Sequence, residues 1–191
     1  MNYVNQVREH FKERQIFSVA DLKAFLGKAK INKNYFYLLL HNLMKKKEIH
    51  RITKGFYTFQ EDITVAGFAF SPFYYGLQEA LSIRNLWEQE TNPIIITPRK
   101  VRSGVREIMD ANVIVRRIDR RMFFGFEFIK YSNYWIPVSG IEKTFIDFIY
   151  FKEQLPENAL KEMKKRIKKK VLIKYLKKCP PYIRKQAKKY F

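Results

Sequence analysis

The sequence has few of the residues that build disulfide frameworks, metal cages and nucleotide-binding loops. Its one cysteine, Cys179, excludes an internal disulfide and a CxxC zinc site. Its seven glycines are too far apart for a GxGxxG or P-loop motif, and no GxSxG motif occurs. No apolar run approaches the roughly 18 residues that a membrane span needs, and the polar start MNYVNQ predicts no signal peptide. We therefore expect a cytoplasmic globular protein without a membrane partner.

Acidic residues are scarce as well, since 18 Asp and Glu stand against 38 Lys and Arg, a formal net charge of +20. Residues 1–60 carry 12 basic and 4 acidic side chains, residues 61–151 carry 11 of each, and residues 152–191 carry 15 and 3. A polyanion is the commonest partner of such a surface. The alternative, a Lys-rich solvated surface, would raise Glu together with Lys. The distribution predicts three domains, 1–60, 61–152 and 153–191, with nucleic-acid contact from the two ends.

The N-terminal residues show the pattern of three short helices. Apolar residues at helical spacing predict a first helix over about 2–14. Ser18, with Asp21 three residues later, forms a capping-box-like start for a second helix. Asn32 can cap a third helix over about 33–47, whose apolar residues share one face.

Two short strands follow these helices. Residues 49–52 and 56–59 are rich in apolar and aromatic side chains, and Gly55 lies in the turn between them. Three helices followed by a β-hairpin is the order of a winged helix-turn-helix. We therefore predict an α+β protein with an N-terminal winged helix-turn-helix.

In such a domain the third helix enters the DNA major groove and the hairpin, or wing, lies along phosphate. Asn suits adenine, and Lys suits guanine or phosphate. The predicted DNA-binding residues, six on or beside the third helix and two on the wing, are Asn32, Lys33, Asn34, Tyr37, His41, Lys45, Arg51 and Lys54. The alternative is a winged helix that binds protein, for which an exposed Leu38 is suited.

Several segments together resemble the AbiEi-type antitoxins, the transcriptional regulators of abortive-infection toxin–antitoxin pairs. Residues 17–22 (FSVADL) and 49–57 (IHRITKGFY) resemble the N-terminal module of that family. Residues 74–81 (YYGLQEAL), 94–97 (IIIT) and 137–147 (PVSGIEKTFID) resemble parts of its second domain. The order and spacing of the segments carry the resemblance, which spans about residues 15–150.

The resemblance implies a winged-helix domain that binds promoter DNA, represses its own operon and opposes a nucleotidyltransferase-type toxin. Double-stranded DNA with promoter repeats is then an expected partner, bound by two copies of the chain, and the toxin is a second one.

The middle segment predicts a mixed α/β domain. The predicted elements are a helix over 71–90, strands at 94–96 and 113–115, a hairpin over 123–138 and a helix over 140–152. Four arginines, Arg116, Arg117, Arg120 and Arg121, form a candidate secondary surface for phosphate or the toxin. The alternative is a solvated run of charge that nearby carboxylates balance.

No catalytic constellation emerges from this segment. The three histidines do not form a metal-ligand cluster, and the acidic-x-Lys triplets that a nuclease needs on a core strand occur only on helical patterns. Glu127, Glu142, Lys143 and Asp147 are therefore expected to be structural or partner-facing. We predict no enzymatic activity, no metal and no cofactor.

The C-terminal segment predicts one amphipathic helix of about 20 residues, stopped by Pro180 and Pro181. Its apolar stripe favours packing against the middle domain over a membrane surface. Four of its lysines, Lys164, Lys165, Lys168 and Lys169, extend the candidate secondary surface. Two alternatives to a DNA-binding regulator stay open: a module that docks a toxin without binding DNA, and an RNA-binding accessory protein.

Overall fold

The computed structural model describes residues 3–27, 32–89 and 91–190. The chain divides into two units, residues 1–71 with 107–112 and residues 72–106 with 113–191. Both helices and sheets are present, so the predicted α+β class is confirmed. The three-domain division expected from the charge stays a prediction.

Three helices and a small sheet make up the first unit, in the predicted order. The helices are α1 (Tyr3–Phe11), α2 (Val19–Leu26) and α3 (Lys33–Lys45), and the strands are β1 (Phe17–Ser18), β2 (His50–Thr53) and β3 (Phe56–Thr58). The strands pair in the antiparallel order β1-β3-β2. A 3-10 helix, Ile63–Phe70, which the sequence pattern did not indicate, follows them.

Aromatic rings fill the core of the first unit. Phe11 and Phe17 are almost fully buried and stack with centroids 4.7 Å apart, and the Phe17 ring lies 5.9 Å from that of Tyr57. Each fully buried ring of this size stabilises the fold by about 1.5–3 kcal/mol. The core therefore joins α1, β1 and β3.

The first helix ends three residues earlier than predicted because side chains at the end of β3 and just after it bond to the carbonyl groups that follow the helix. The Gln60 amide donates to the carbonyl of Lys12 at 2.6 Å, and the Thr58 hydroxyl donates to the carbonyl of Gln15 at 2.7 Å. The capping box of α2 is confirmed, since Ser18 Oγ accepts from the Asp21 N–H and the Asp21 carboxylate accepts from the Ser18 N–H. These bonds hold the pKa of Asp21 below its ordinary value.

Most of a six-stranded mixed sheet belongs to the second unit, where helices pack against it. The strands are β4 (Tyr74–Tyr75), β5 (Ile94–Thr97), β6 (Gly104–Ile108), β7 (Ala111–Arg117), β8 (Phe126–Tyr131) and β9 (Tyr134–Ser139), in the order β6-β7-β5-β4-β9-β8. The end of β6 and the start of β7 fall within residues 107–112. The helices are α4 (Leu77–Ile83), α5 (Ile141–Phe151), α6 (Glu157–Arg166), α7 (Lys169–Leu176) and α8 (Pro181–Ala187). Strand β5 is parallel to β7, and β4 is parallel to β9.

The predicted helix over 71–90 is wrong at both ends. Tyr74 and Tyr75 form β4 between β5 and β9, and both side chains are fully buried. Gly76 ends this strand at a position where a Cβ would lie 2.3 Å from Ile96 Cδ1, so a larger residue would have to displace that buried side chain. The helix begins one residue later and ends at Ile83.

The predicted 20-residue basic helix is also wrong, because two short helices, α6 and α7, stand in its place, and α8 follows after Pro180. The first two are separated at Ile167 and Lys168, which adopt extended backbone angles. The Lys168 N–H, which would bond within a continuous helix, donates instead to the Glu142 carboxylate at 2.8 Å. This break changes which side chains turn inward, so that Leu172 is buried and Val171 is only partly buried.

The C-terminal helices share one hydrophobic core with α4 and α5, as the amphipathic pattern predicts. Met163, Leu172, Cys179, Ile183 and Ala187 are all buried in the cluster that also contains α5 residues. These side chains therefore belong to the fold of the second unit, and their removal would open its core.

A buried ion pair lies in the middle of this core. The Lys143 ammonium pairs with the Asp147 carboxylate, and the Tyr74 hydroxyl donates to the second carboxylate oxygen at 2.9 Å. All three side chains are fully buried. Burial raises the pKa of Asp147, while Lys143 and Tyr74 oppose that rise. Of the four residues expected to be structural or partner-facing, Lys143 and Asp147 are thus structural.

Removing either partner of this pair leaves an unpaired charge in the core. We expect Lys143→Met or Asp147→Leu to lower the free energy of unfolding by about 3–5 kcal/mol. The double variant should lose clearly less than the sum of the two, because no charge is left uncompensated. Urea unfolding of the four proteins measures this coupling, and additive losses would contradict it.

Candidate nucleic-acid interface

The position of α3 is fixed by one apolar face. Phe36, Leu39, Leu40 and Leu43 recur three or four residues apart and are each at most 5% exposed in the core of the first unit. Because a helix turns once in 3.6 residues, the opposite face must point outward. The outward side chains are exposed, as predicted: Asn34, Tyr37, Leu38, His41 and Lys45.

Two of these outward side chains are large and apolar for a solvated position. Tyr37 is 56% exposed and Leu38 is 54% exposed. The Lys23 ammonium of α2 lies 5.8 Å from the Tyr37 ring centroid, so a cation borders the ring. A surface that combines an amide, an aromatic ring, an aliphatic side chain and cations suits contact with base edges and phosphate.

The N-terminus of α3 is capped by Asn32. Its side-chain oxygen accepts a hydrogen bond from the Asn34 N–H at 3.1 Å. The cap uses the amide oxygen, so Asn32 supports the helix that carries the predicted DNA-binding residues outside the wing. The side chain of Lys33, the next predicted contact, lies outside the described part of the structure.

Positive charge gathers at the other end of α3. Lys45 is followed by two more exposed lysines, 46 and 47, and then by Glu48. Arg8 of α1 holds Glu48 through two hydrogen bonds of 2.5 and 2.7 Å, which lower the pKa of the carboxyl. This ion pair offsets the one carboxylate of the segment, and its stabilising effect is lost as the pH falls through that lowered pKa.

The wing carries the two remaining predicted contacts at its edge and tip. Arg51 on β2 lies opposite Tyr57 on β3, and its side chain is exposed. Lys54 is exposed at the turn, next to Gly55, whose φ of +83° favours glycine. All the predicted DNA-binding residues that the structure describes thus lie in the first unit, and one of them, Asn32, caps α3.

Three helices, a wing and an exposed polar face on the third helix are the arrangement of winged helix-turn-helix proteins, a class that binds nucleic acid or protein through that face. Residues 5–60, which contain this arrangement, match a family model described as transcriptional regulator, AbiEi antitoxin. The resemblance is therefore confirmed over this segment, and the family is regulatory rather than enzymatic. No curated protein matches the chain.

The candidate secondary surface separates into distinct groups in the second unit. The four lysines, Lys164, Lys165, Lys168 and Lys169, are all exposed on α6, α7 and the break between them, and Lys165 pairs with Glu162 at 2.6 Å. Two further exposed lysines of the same basic segment, Lys170 and Lys174, continue this surface along α7.

The four arginines have different surroundings. Arg116 pairs with Glu153, and its Nε atom is buried with no hydrogen-bond partner among the described residues. Arg121 pairs with Asp119 at 3.3 Å, although its side chain is 89% exposed. Arg117 and Arg120 line an open cleft together with Lys100, which the sequence pattern did not single out. The signal that could have found Lys100 is its position just after β5, which runs parallel to β7.

The remaining candidates for chemistry have structural contacts. Glu127 accepts a hydrogen bond from Arg84 at 2.8 Å, and Glu142 accepts from the backbone of the α6–α7 break. Among the described residues, no group of three His, Cys, Asp or Glu side chains lies close enough to hold a metal ion. No helix in the described ranges combines the length and the hydropathy that crossing a membrane requires.

The cap at Asn32 can be separated from a DNA contact. We expect Asn32→Ala to lower the free energy of unfolding by about 1 kcal/mol. Asn32→Ser should keep that stability, because a serine hydroxyl can also accept the Asn34 N–H. Thermal melts of the two variants test the cap, and an equal loss of stability in both would contradict it.

Proposed function

We propose that this protein is a sequence-specific DNA-binding transcriptional regulator that acts as an AbiEi-like antitoxin. It represses its own operon and counteracts a nucleotidyltransferase-type toxin. The observation that carries the proposal is the exposed outer face of α3 in a segment that matches the AbiEi regulator family. The toxin and the autorepression follow from the family resemblance.

Charge supports nucleic acid as the partner of the first unit. Of the first 60 residues, 12 are basic and 4 acidic, and two of the four carboxylates are held by internal bonds. A surface of this sign is attracted to phosphate at a distance and releases counterions from the DNA on binding.

The polar residues of α3 are suited to reading sequence. Asn34 can form two hydrogen bonds with an adenine edge, and Leu38 can contact a thymine methyl group. The two wing cations, Arg51 and Lys54, are suited to phosphate. One such module covers only a few base pairs, so we propose two copies on repeats in the promoter of the operon.

The proposed difference between the base contacts of α3 and the phosphate contacts of the wing gives a first test. Asn34→Ala should weaken binding to the cognate promoter site by about 1–3 kcal/mol and leave binding to random duplex DNA nearly unchanged. Lys54→Ala should weaken binding to both DNAs to a similar degree. Fluorescence anisotropy with the two duplexes measures both effects at one salt concentration.

His10→Ala provides a control that lies outside this face, since its ring stacks on Phe25 at 4.0 Å in the first unit. It should change stability without changing the ratio of cognate to random affinity. If Asn34→Ala and Lys54→Ala behave alike on both duplexes, α3 does not read the sequence.

The lysine surface of the second unit is proposed to add phosphate contacts that are independent of sequence. Deleting the C-terminal helices cannot test this, because their apolar side chains are part of the core. Substituting exposed lysines keeps those apolar side chains in place.

We expect the triple variant Lys169→Gln, Lys170→Gln and Lys174→Gln to bind every DNA sequence more weakly. The plot of log affinity against log salt concentration has a negative slope, and its magnitude should fall by about 0.9 for each phosphate that the variant no longer neutralises. The matched triple change to arginine keeps the charge and should keep the slope. Equal slopes for the glutamine and arginine variants would show that the lysine surface does not bind the DNA.

A second candidate function, docking of a protein partner on α3, is favoured by one observation. Tyr37 and Leu38 present adjacent apolar surfaces in a position where solvated helices usually carry polar residues. In that case Leu38→Gln abolishes toxin neutralisation while duplex-DNA affinity is unchanged. The same titration with an RNA hairpin tests the RNA-binding alternative, which predicts tighter binding to the hairpin than to duplex DNA.

A further inference from the structure

A basic cleft lies at one edge of the sheet in the second unit. Strands β5 and β7 are parallel neighbours, with Thr97 opposite Arg117. The segments that follow the two strands therefore leave the sheet on the same side. Clefts at the carboxyl ends of parallel strands are common ligand sites, because several loops converge there. The cleft has a volume of about 570 Å³ and is lined by Pro98, Lys100, Arg117, Ile118, Asp119, Arg120 and Tyr150.

Hydrogen bonds fix the two chain segments that form the cleft. The Ile118 N–H donates to the Thr97 carbonyl at 3.0 Å, which extends the pairing of the strands to their ends. The Thr97 hydroxyl donates to the Pro72 carbonyl at 2.8 Å and accepts from the Arg99 N–H at 3.2 Å. The Asp119 N–H donates to the Tyr150 hydroxyl at 3.2 Å, which joins the second segment to α5. The cleft is therefore built on backbone that is held on both sides.

The charge in the cleft is positive and largely uncompensated. Lys100 comes from the segment after β5, whereas Arg117 and Arg120 come from the end of β7 and the segment after it. Within the described residues, none of these three cations forms an ion pair with a carboxylate. Asp119 is the one acidic residue in the lining, and its carboxylate already accepts from the Arg121 N–H at 2.8 Å and from the Arg121 side chain.

Holding three cations around one concave surface costs electrostatic repulsion, which an anion removes. Two guanidinium groups and an ammonium match the oxygens of a phosphate group, and the Tyr150 ring and Pro98 offer apolar surface beside it. A flat solvated charge run would have neither the concave shape nor the ring.

We propose that this cleft binds a phosphate ester or anhydride through Lys100, Arg117 and Arg120. The group is carried by a nucleotide or belongs to the backbone of a nucleic acid; the two sources share the same phosphate oxygens. The cleft is formed by residues of the second unit, and the proposal does not depend on the DNA-reading role of the first unit.

Isothermal titration calorimetry of the full chain tests the site with three probes: inorganic tripolyphosphate, ATP and a 12-base-pair duplex without terminal phosphates. The double variant Arg117→Gln, Arg120→Gln should reduce affinity for the bound probes at least tenfold. Lys100→Gln, which changes the other segment, should reduce it several-fold. The probe affinities of the two variants are compared with those of the wild type at one ionic strength, after thermal melts have shown that each variant folds.

The double variant Lys130→Gln, Lys188→Gln is the matched control, because it removes the same charge from exposed positions outside the cleft. It should change probe affinity by less than twofold. Binding of ATP and tripolyphosphate that depends on the cleft residues identifies a small phosphate ligand, and cleft-dependent loss of the duplex alone identifies nucleic-acid backbone. Equal losses in the cleft and control variants, or no saturable binding of any probe by the wild type, would overturn the proposal.

Discussion

The burial of one apolar stripe on α3 determines what the first unit can present to a partner. Phe36, Leu40 and Leu43 cannot leave the core without exposing apolar surface worth several kcal/mol. Their spacing therefore fixes the rotation of the helix, and the rotation fixes that Asn34 and His41 face outward. The Asn32 cap and the Arg8–Glu48 ion pair act at the two ends of the same helix. A helix face positioned by the core in this way is pre-organised for the proposed DNA contact, which would then cost little conformational entropy.

The net charge of +20 imposes a second constraint, which the two units meet in different ways. In the first unit the carboxylates of Asp21 and Glu48 are used inside caps and ion pairs, so they stabilise the fold and leave the outer surface basic. In the second unit Glu142 caps a break between two lysine-rich helices. These three acidic residues thus stabilise backbone and charge within the fold, and the cations that they do not pair with stay available for a polyanion.

Local patterns predicted the first unit well and the second unit less well, for a physical reason. The Ser18–Asp21 capping box and the Gly55 turn depend on residues a few positions apart, so the sequence contains the whole signal. Tyr74 and Tyr75 have helical-looking neighbours, but strands far away in the sequence pair on both sides of them, and that tertiary pairing prevails over local propensity. Lys100 was missed for the same reason, because only the parallel pairing of β5 and β7 brings it beside Arg117.

The buried Lys143–Asp147 pair shows how little periodicity alone says about the burial of a charged residue. On a helical projection both residues lie opposite the apolar face of Ile141, Phe145 and Phe148, a position that is usually exposed to solvent or to a partner. In the fold α5 is packed on nearly all sides, and the Tyr74 hydroxyl completes the hydrogen bonds of the carboxylate. Lys143 and Asp147 lie one turn apart on α5, so a shift of α5 against β4 would keep the ion pair but take the carboxylate away from the Tyr74 hydroxyl. Losing that buried hydrogen bond would cost about 1–3 kcal/mol. The Tyr74–Asp147 bond therefore favours one arrangement of α5 against β4, and the sheet edge that carries the basic cleft is built on that arrangement, through Tyr150 of the same helix.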